Sequence, residues 1–157
     1  MFDSLFNALQ QSALAQLLDG SRYIAITVQI FHILGFVFLL AIVLALALRV
    51  QRLALLGSPV ASFVGSLQRA YQASLGVSIA AGVLLFIPRA IAYGNNPAMF
   101  YKVVFLILAV LVQAFVHRKT HALAVEEEAG VVLRATSWFA LLLWFAAGGA
   151  GRAIGFV

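Results

Sequence analysis

Four long apolar stretches, joined by short polar connections, dominate the 157-residue chain. A bilayer-spanning helix takes about 20 predominantly apolar residues, and lipid offers nothing to an unpaired backbone amide, so each stretch is expected to be a transmembrane helix. At 64% hydrophobic and 10% charged, the composition excludes an ordinary soluble domain. Spans are placed at about 23–48, 73–93, 98–116 and 134–155, within a single membrane domain covering residues 1–157. Short connections make consecutive helices antiparallel neighbours. The expected fold is therefore all-α, a transmembrane up-down four-helix bundle.

The first nineteen residues read differently. Phe2, Leu5, Phe6, Leu9, Ala13 and Leu17 follow helical spacing, with Asn7, Gln10, Gln11 and Ser12 between them. That pattern predicts one amphipathic interfacial helix over 1–19, with Phe2, Phe6 and Leu9 toward lipid. Gly20 ends it and Ser21 caps the first span. Ser58-Pro59 starts the second helix, whose early part to Gln72 is expected to project from the bilayer before the apolar run begins. Pro88-Arg89 interrupts that run, and Gly94-Asn95-Asn96-Pro97 makes the turn into the third helix.

Ten Lys/Arg stand against five Asp/Glu, without a basic run of the kind that tracks nucleic acid. Arg49, Arg52, Arg69, Arg118, Lys119 and Arg134 fall on the side of the first and third connections, and Arg22, Arg89, Lys102 and Arg152 on the other. Positive charge favours the cytoplasm, so both termini are expected outside. The sequence contains no cysteine, which excludes disulfides and thiolate metal sites. No Ser-His-Asp set, phosphate-binding glycine loop or intramembrane carboxylate pair is present, so the chain is not expected to be an enzyme.

Polar groups inside a span cost of order 2–3 kcal/mol at the centre and call for a reason. His32 lies about 12 Å inside the outer end of the first span, with Gln29 and Gly35 three positions to either side on the same face. It is a neutral histidine hydrogen-bonded across the bundle, to Ser78 or Thr27, or a ligand to a metal or haem iron, or a proton-relay group. Gly82 and Gly148-Gly149 fall near the same depth. With Gly35 they either let helices approach closely or leave a slot for a flat porphyrin, on which Trp144 and Phe145 would pack. Arg22, Arg89, Lys102 and Arg152 form an outer basic rim that would hold haem propionates or snorkel to lipid headgroups. Arg89 and Arg152, flanked by apolar residues, are the ones expected to find interior partners. His117 lies about 25 Å from the outer end, so a bis-histidine haem with His32 is not expected. His117 and His121 are spaced i, i+4 ahead of Glu126, Glu127 and Glu128. They form a weak divalent-metal candidate, or more simply a solvated helix end.

QIFHILG, NNPAMFYK, FVHRK and WFAAGGAGRAIGF, found in helices one, three, three and four, together resemble a family of small bacterial four-span membrane proteins. That family is similar in layout to copper-resistance membrane domains and b-type cytochromes. The resemblance covers the chain from about residue 20 onward and implies the bacterial inner membrane and the four-span fold. It draws attention to His32, Lys102, His117 and Arg152. The position three before the histidine is often acidic in that pattern, and here it is Gln29.

The leading functional expectation is a non-enzymatic membrane subunit binding haem b through His32 for electron transfer. One alternative is a cofactor-free structural or assembly subunit, docking partner helices on Ser74, Ser78 and Gly82 or on Gly151 and Gly155. Another is a copper or proton pathway. Expected partners are membrane lipid and a membrane protein or a second copy of the chain, and no nucleic acid.

Overall fold

The computed structural model describes residues 3–123 and 129–156. Helices α1 (Asp3–Gln10) and α2 (Ala13–Asp19) precede α3 (Arg22–Val50) and α4 (Val60–Phe86). A 3-10 turn (Ile87–Arg89) and the short α5 (Ala90–Gly94) lead to α6 (Pro97–His121) and α7 (Val131–Ala153). No strand occurs among the described residues. Four segments are long and apolar enough to cross a bilayer: Arg22–Val50, Val60–Gly94, Pro97–His121 and Val131–Ala153. The chain is an all-α, multi-pass helical membrane protein.

The spans pack as two hairpins, α3 with α4 and α6 with α7, joined through α3 and α7; the α4–α6 seam is the loosest of these contacts. On α3 a single stripe (Gly35, Leu39, Val43, Leu46, Ala47, Val50) is buried. Ile30, Phe31, Leu34, Val37 and Phe38 stay exposed, as lipid-facing residues must. Trp144 is wholly buried within a cluster containing Leu39, Val43, Tyr71, Ala109 and Leu141. A second cluster near the α3–α4 loop joins Leu46, Val50, Val60, Val64, Val116, Ala129 and Leu133. The opening of α4 therefore does not stand clear of its neighbours, because Val60 and Val64 are apolar anchors for the ends of three other segments.

Gly35 explains how closely α3 and α4 approach. A Cβ there would lie 3.0 Å from the Ser78 backbone nitrogen and 3.2 Å from the Ser74 carbonyl oxygen. Small residues on facing helices allow such contact in lipid, where packing rather than the hydrophobic effect holds helices together. The connection that follows α3 is tied from within. Arg49 is buried, and its Nε and Nη2 donate to the Ser58 carbonyl at 3.1 and 2.6 Å. Gln51 Nε2 donates to the Arg134 carbonyl at 2.7 Å, fastening the loop to α7. Arg52 and Leu55 take left-handed backbone with φ of 63° and 60°.

The N-terminal segment departs from expectation in two ways. It is two helices rather than one, because the Ser12 hydroxyl donates to the Leu9 carbonyl at 2.7 Å and accepts from the Ala15 amide at 3.2 Å. A serine that serves its own backbone this way closes one helix and caps the next. Phe6 also turns toward protein instead of lipid. Its ring meets Phe86 edge-on at 5.9 Å and occupies the space that a side chain at Gly94 would need. Leu9 is half-buried, Leu5, Leu14 and Leu17 are the exposed apolar residues, and Phe2 lies outside the described residues. The docking point is the interruption that Pro88 makes in the second span. Its ring cannot continue the ladder, and the Ile91 amide there donates to Gln10 Oε1 at 3.2 Å.

Candidate functional site

His32 is half-buried between α3 and α4, and its Nδ1 donates to the Ser78 carbonyl at 2.8 Å. A carbonyl only accepts, so the proton sits on Nδ1 and Nε2 carries the lone pair. This is the cross-bundle hydrogen bond to Ser78 named among the alternatives. Gly82 makes room for it: a Cβ at that position would lie 3.1 Å from His32 Cε1. Gln29 is exposed.

The glycines near His32 do not leave a slot for a flat cofactor within the chain. The α4 backbone fills the space at Gly35, the His32 ring fills that at Gly82, and the Phe36 ring lies 2.8 Å from a Cβ placed on Gly148. Gly149 alone of this set faces open space. Phe36 packs beside Trp144, with ring centroids 6.4 Å apart, while Phe145 is exposed. Of the outer basic set, three members lie at the surface. Arg22, Arg89 and Arg152 are exposed, and Arg152 lies 4.9 Å over the Phe156 ring. Arg89 and Arg152, for which interior partners were expected, thus lie at the surface of the chain. Lys102 is the half-buried member, its stem laid against Gly151. Of the small residues expected to dock partner helices, Ser74 and Ser78 pack against Gly35, Gly82 against His32 and Gly151 against Lys102, while Gly155 is exposed.

The second polar centre lies in the loose α4–α6 seam, toward the end that carries the α3–α4 loop. His117 was expected to end a solvated helix, yet it is only 6% exposed. Its ring lies 4.9 Å from that of Tyr71, tilted by 46°. Its Nδ1 donates to Gln68 Oε1, and its Nε2 is enclosed without a partner. An enclosed acceptor left unpaired costs about 1–3 kcal/mol. Both rings border a cleft of about 620 Å³. Gln68, Gln72, Arg118 and His121 bring polar groups to it, while Leu75, Val110 and Ala114 form an apolar wall. A volume in this range suits a small molecule.

His32 and His117 do not meet. They contact the same helix at Ser78 and Gln68, about ten residues or 15 Å apart along α4. As for divalent metal, His117 has committed Nδ1 to Gln68, His121 is exposed, and Glu126, Glu127 and Glu128 lie outside the described residues. Among the described residues no three His, Cys, Asp or Glu side chains gather as a metal site. Sequence reasoning missed the cleft although its signal was present. Gln68, Tyr71, Gln72 and Leu75 share one helical face, and so do Val110, Ala114, His117 and His121. Gln113, only 2% exposed, is a further polar group within a span that sequence reasoning did not single out.

Fold and site together describe a four-span helical membrane protein with a ligand-sized cleft between two of its helices. No family model matches the chain, and comparison with curated proteins and with solved structures finds no match.

Proposed function

We propose that the chain is a non-enzymatic subunit of a bacterial inner-membrane complex of the electron-transfer or cofactor-binding kind, holding a small membrane-soluble ligand in the α4–α6 cleft. One observation carries this reading: His117 is buried beside the cleft with a ring nitrogen that no protein group pairs. Buried polar atoms are almost always satisfied, and an exception in a cleft wall is the mark of a missing partner. Native mass spectrometry of protein extracted in mild detergent tests it. A retained small molecule is expected, and Ala114→Phe, which fills the cleft from an exposed position, is expected to expel it. An adduct-free wild-type protein that is folded would overturn the reading.

Haem b at His32 remains a second reading, supported by the Nδ1–H bond to Ser78. Metal-bound histidines usually donate their other ring N–H to a carbonyl or carboxylate. With the glycine spaces filled, haem would have to lie against the outer surface of the α3–α4 pair, completed by a partner protein or a second copy. A Soret band lost in His32→Ala but kept in His117→Ala would support it, with Arg152→Ala loosening the haem; a colourless protein from haem-replete cells would dismiss it. The cofactor-free assembly subunit is then the fallback, and a copper or proton pathway has the least support. The proposed orientation, both termini outside, follows the Lys/Arg distribution. A periplasm-dependent reporter fused to the C-terminus is expected to be active, and cytoplasmic activity would reverse the topology.

A further inference from the structure

We propose that the cleft ligand is a quinol-type amphiphile, a hydroxylated aromatic ring on an apolar tail, recognised through a hydroxyl that donates to His117 Nε2. This rests on the reading that the α4–α6 cleft holds a ligand. The chemistry of the unpaired atom sets the ligand class. With Gln68 Oε1 accepting from Nδ1, the neutral imidazole offers only a lone pair at Nε2. Its missing partner is therefore a donor. The phosphate of a lipid headgroup offers only acceptors and would repel that lone pair, so a lipid could serve only through a headgroup hydroxyl or ammonium, and an oxidised quinone offers only carbonyls. A phenolic hydroxyl supplies the donor without bringing a charge into the membrane.

The remaining cleft features agree with an aromatic head and an apolar tail. The Tyr71 ring already contacts the imidazole, so a planar ring enters an aromatic setting. Tyr71 also borders the cleft, so its hydroxyl gives a second polar contact for the ligand's other oxygen. Leu75, Val110 and Ala114 continue the wall in apolar side chains along which a tail runs toward lipid. Arg118 alone of the cleft lining carries a fixed charge, and it is exposed. Because Nε2 is enclosed, a wall side chain must move for the hydroxyl to reach it, and we assign that movement to Tyr71, whose ring contacts the imidazole.

The test uses the full chain in phosphatidylcholine nanodiscs, titrated with a decyl-substituted benzoquinol kept reduced, with its dimethyl ether and with the oxidised quinone. The quinol is expected to bind about tenfold or more tightly than the other two, the effect of one buried hydrogen bond to an otherwise unsatisfied acceptor. His117→Phe, which keeps a ring against Tyr71, should reduce quinol affinity to that of the ether. Tyr71→Phe should weaken binding less, and Leu142→Ala, at an exposed position of α7, should leave it unchanged. Thermal unfolding in the same nanodiscs verifies that each variant is folded, and Tyr71→Phe keeps the test open should His117→Phe fail to fold. Equal affinity for all three probes would overturn the quinol proposal while leaving a cleft ligand in place. Displacement of the quinol by phosphatidylglycerol would assign the cleft to lipid, with the same consequence. Failure of every probe, with no adduct retained on extraction, would remove the cleft reading as well.

Discussion

Replacing Gly35 by alanine isolates the contact that sets the α3–α4 distance. The added Cβ would stand 3.0 Å from Ser78 N, 3.2 Å from Ser74 O and 3.2 Å from Val77 Cγ1. Two of these are backbone atoms of a continuous helix and cannot swing away, so the helices must separate by several tenths of an ångström. Overpacking of this kind costs about 1–3 kcal/mol. Separation also stretches the 2.8 Å bond from His32 to the carbonyl of Ser78, the residue whose nitrogen is in the clash. Losing that bond adds about 0.5–1.5 kcal/mol. Alanine recovers about 1 kcal/mol of helix propensity over glycine. The net expectation is a loss of about 2 kcal/mol, a factor of about 30 in the folded ratio. Gly149→Ala makes the same chemical change on α7 where nothing lies within 4 Å, and should stabilise by up to about 1 kcal/mol. Unfolding titrations of both variants in mixed micelles give the comparison. If Gly35→Ala proves as stable as Gly149→Ala, the close approach of α3 and α4 is wrong, and with it the account of Gly82 as a space reserved for His32.

Arg49→Lys removes the two-nitrogen grip on the Ser58 carbonyl and should cost about 1–3 kcal/mol, read as faster proteolysis within residues 52–57. Leu55→Gly relieves an exposed left-handed residue at φ 60° and should stabilise by up to about 1 kcal/mol in the same titration, whereas destabilisation would place that backbone elsewhere. Gln10→Ala should speed hydrogen exchange at the Ile91 amide about fivefold, the loss of one hydrogen bond of about 1 kcal/mol, without changing the number of inserted spans. Unchanged exchange would mean that α1 does not hold the Pro88 interruption.

Four spans, their antiparallel order and the turn at Asn96-Pro97 were legible because each rests on a local property: apolar length, a capping side chain, a ring that fixes φ. Asn96 does cap α6, its Oδ1 accepting from the Ala98 amide at 2.8 Å. The N-terminal segment was legible as amphipathic, and which way Phe6 turned was not. Its spacing only requires an apolar neighbour, and lipid or Phe86 serves equally until Gly94 opens a place for the ring.

Depth along a helix was also legible, since 1.5 Å per residue already kept His32 and His117 at different levels. Azimuth was not. A span in lipid can be apolar on every face, so periodicity does not tell the inner face from the outer one as it would in water. That is why glycines at one depth suggested a slot, though the spaces at Gly148, Gly82 and Gly35 are filled from different directions by Phe36, His32 and the α4 backbone, and only that at Gly149 is open. It is also why the face carrying His117 passed for a solvated helix end.

The sequence by itself determined the class of molecule, its span number and its connectivity, because the bilayer enforces hydrogen-bonded helices of a fixed length whatever the neighbours do. Only the tertiary structure decided which polar groups share a site. Whether an imidazole nitrogen is paired depends on the rotation of α4 about its own axis, which brings Ser78 to His32 and Gln68 to His117. Whether a nitrogen is left over depends on how loosely α4 meets α6. Those rotations are set by the packing of Gly35 against Ser74 and Ser78, of Trp144 within its cluster, and of Phe6 on Gly94. These are contacts between residues far apart in sequence, which no local pattern along the chain encodes.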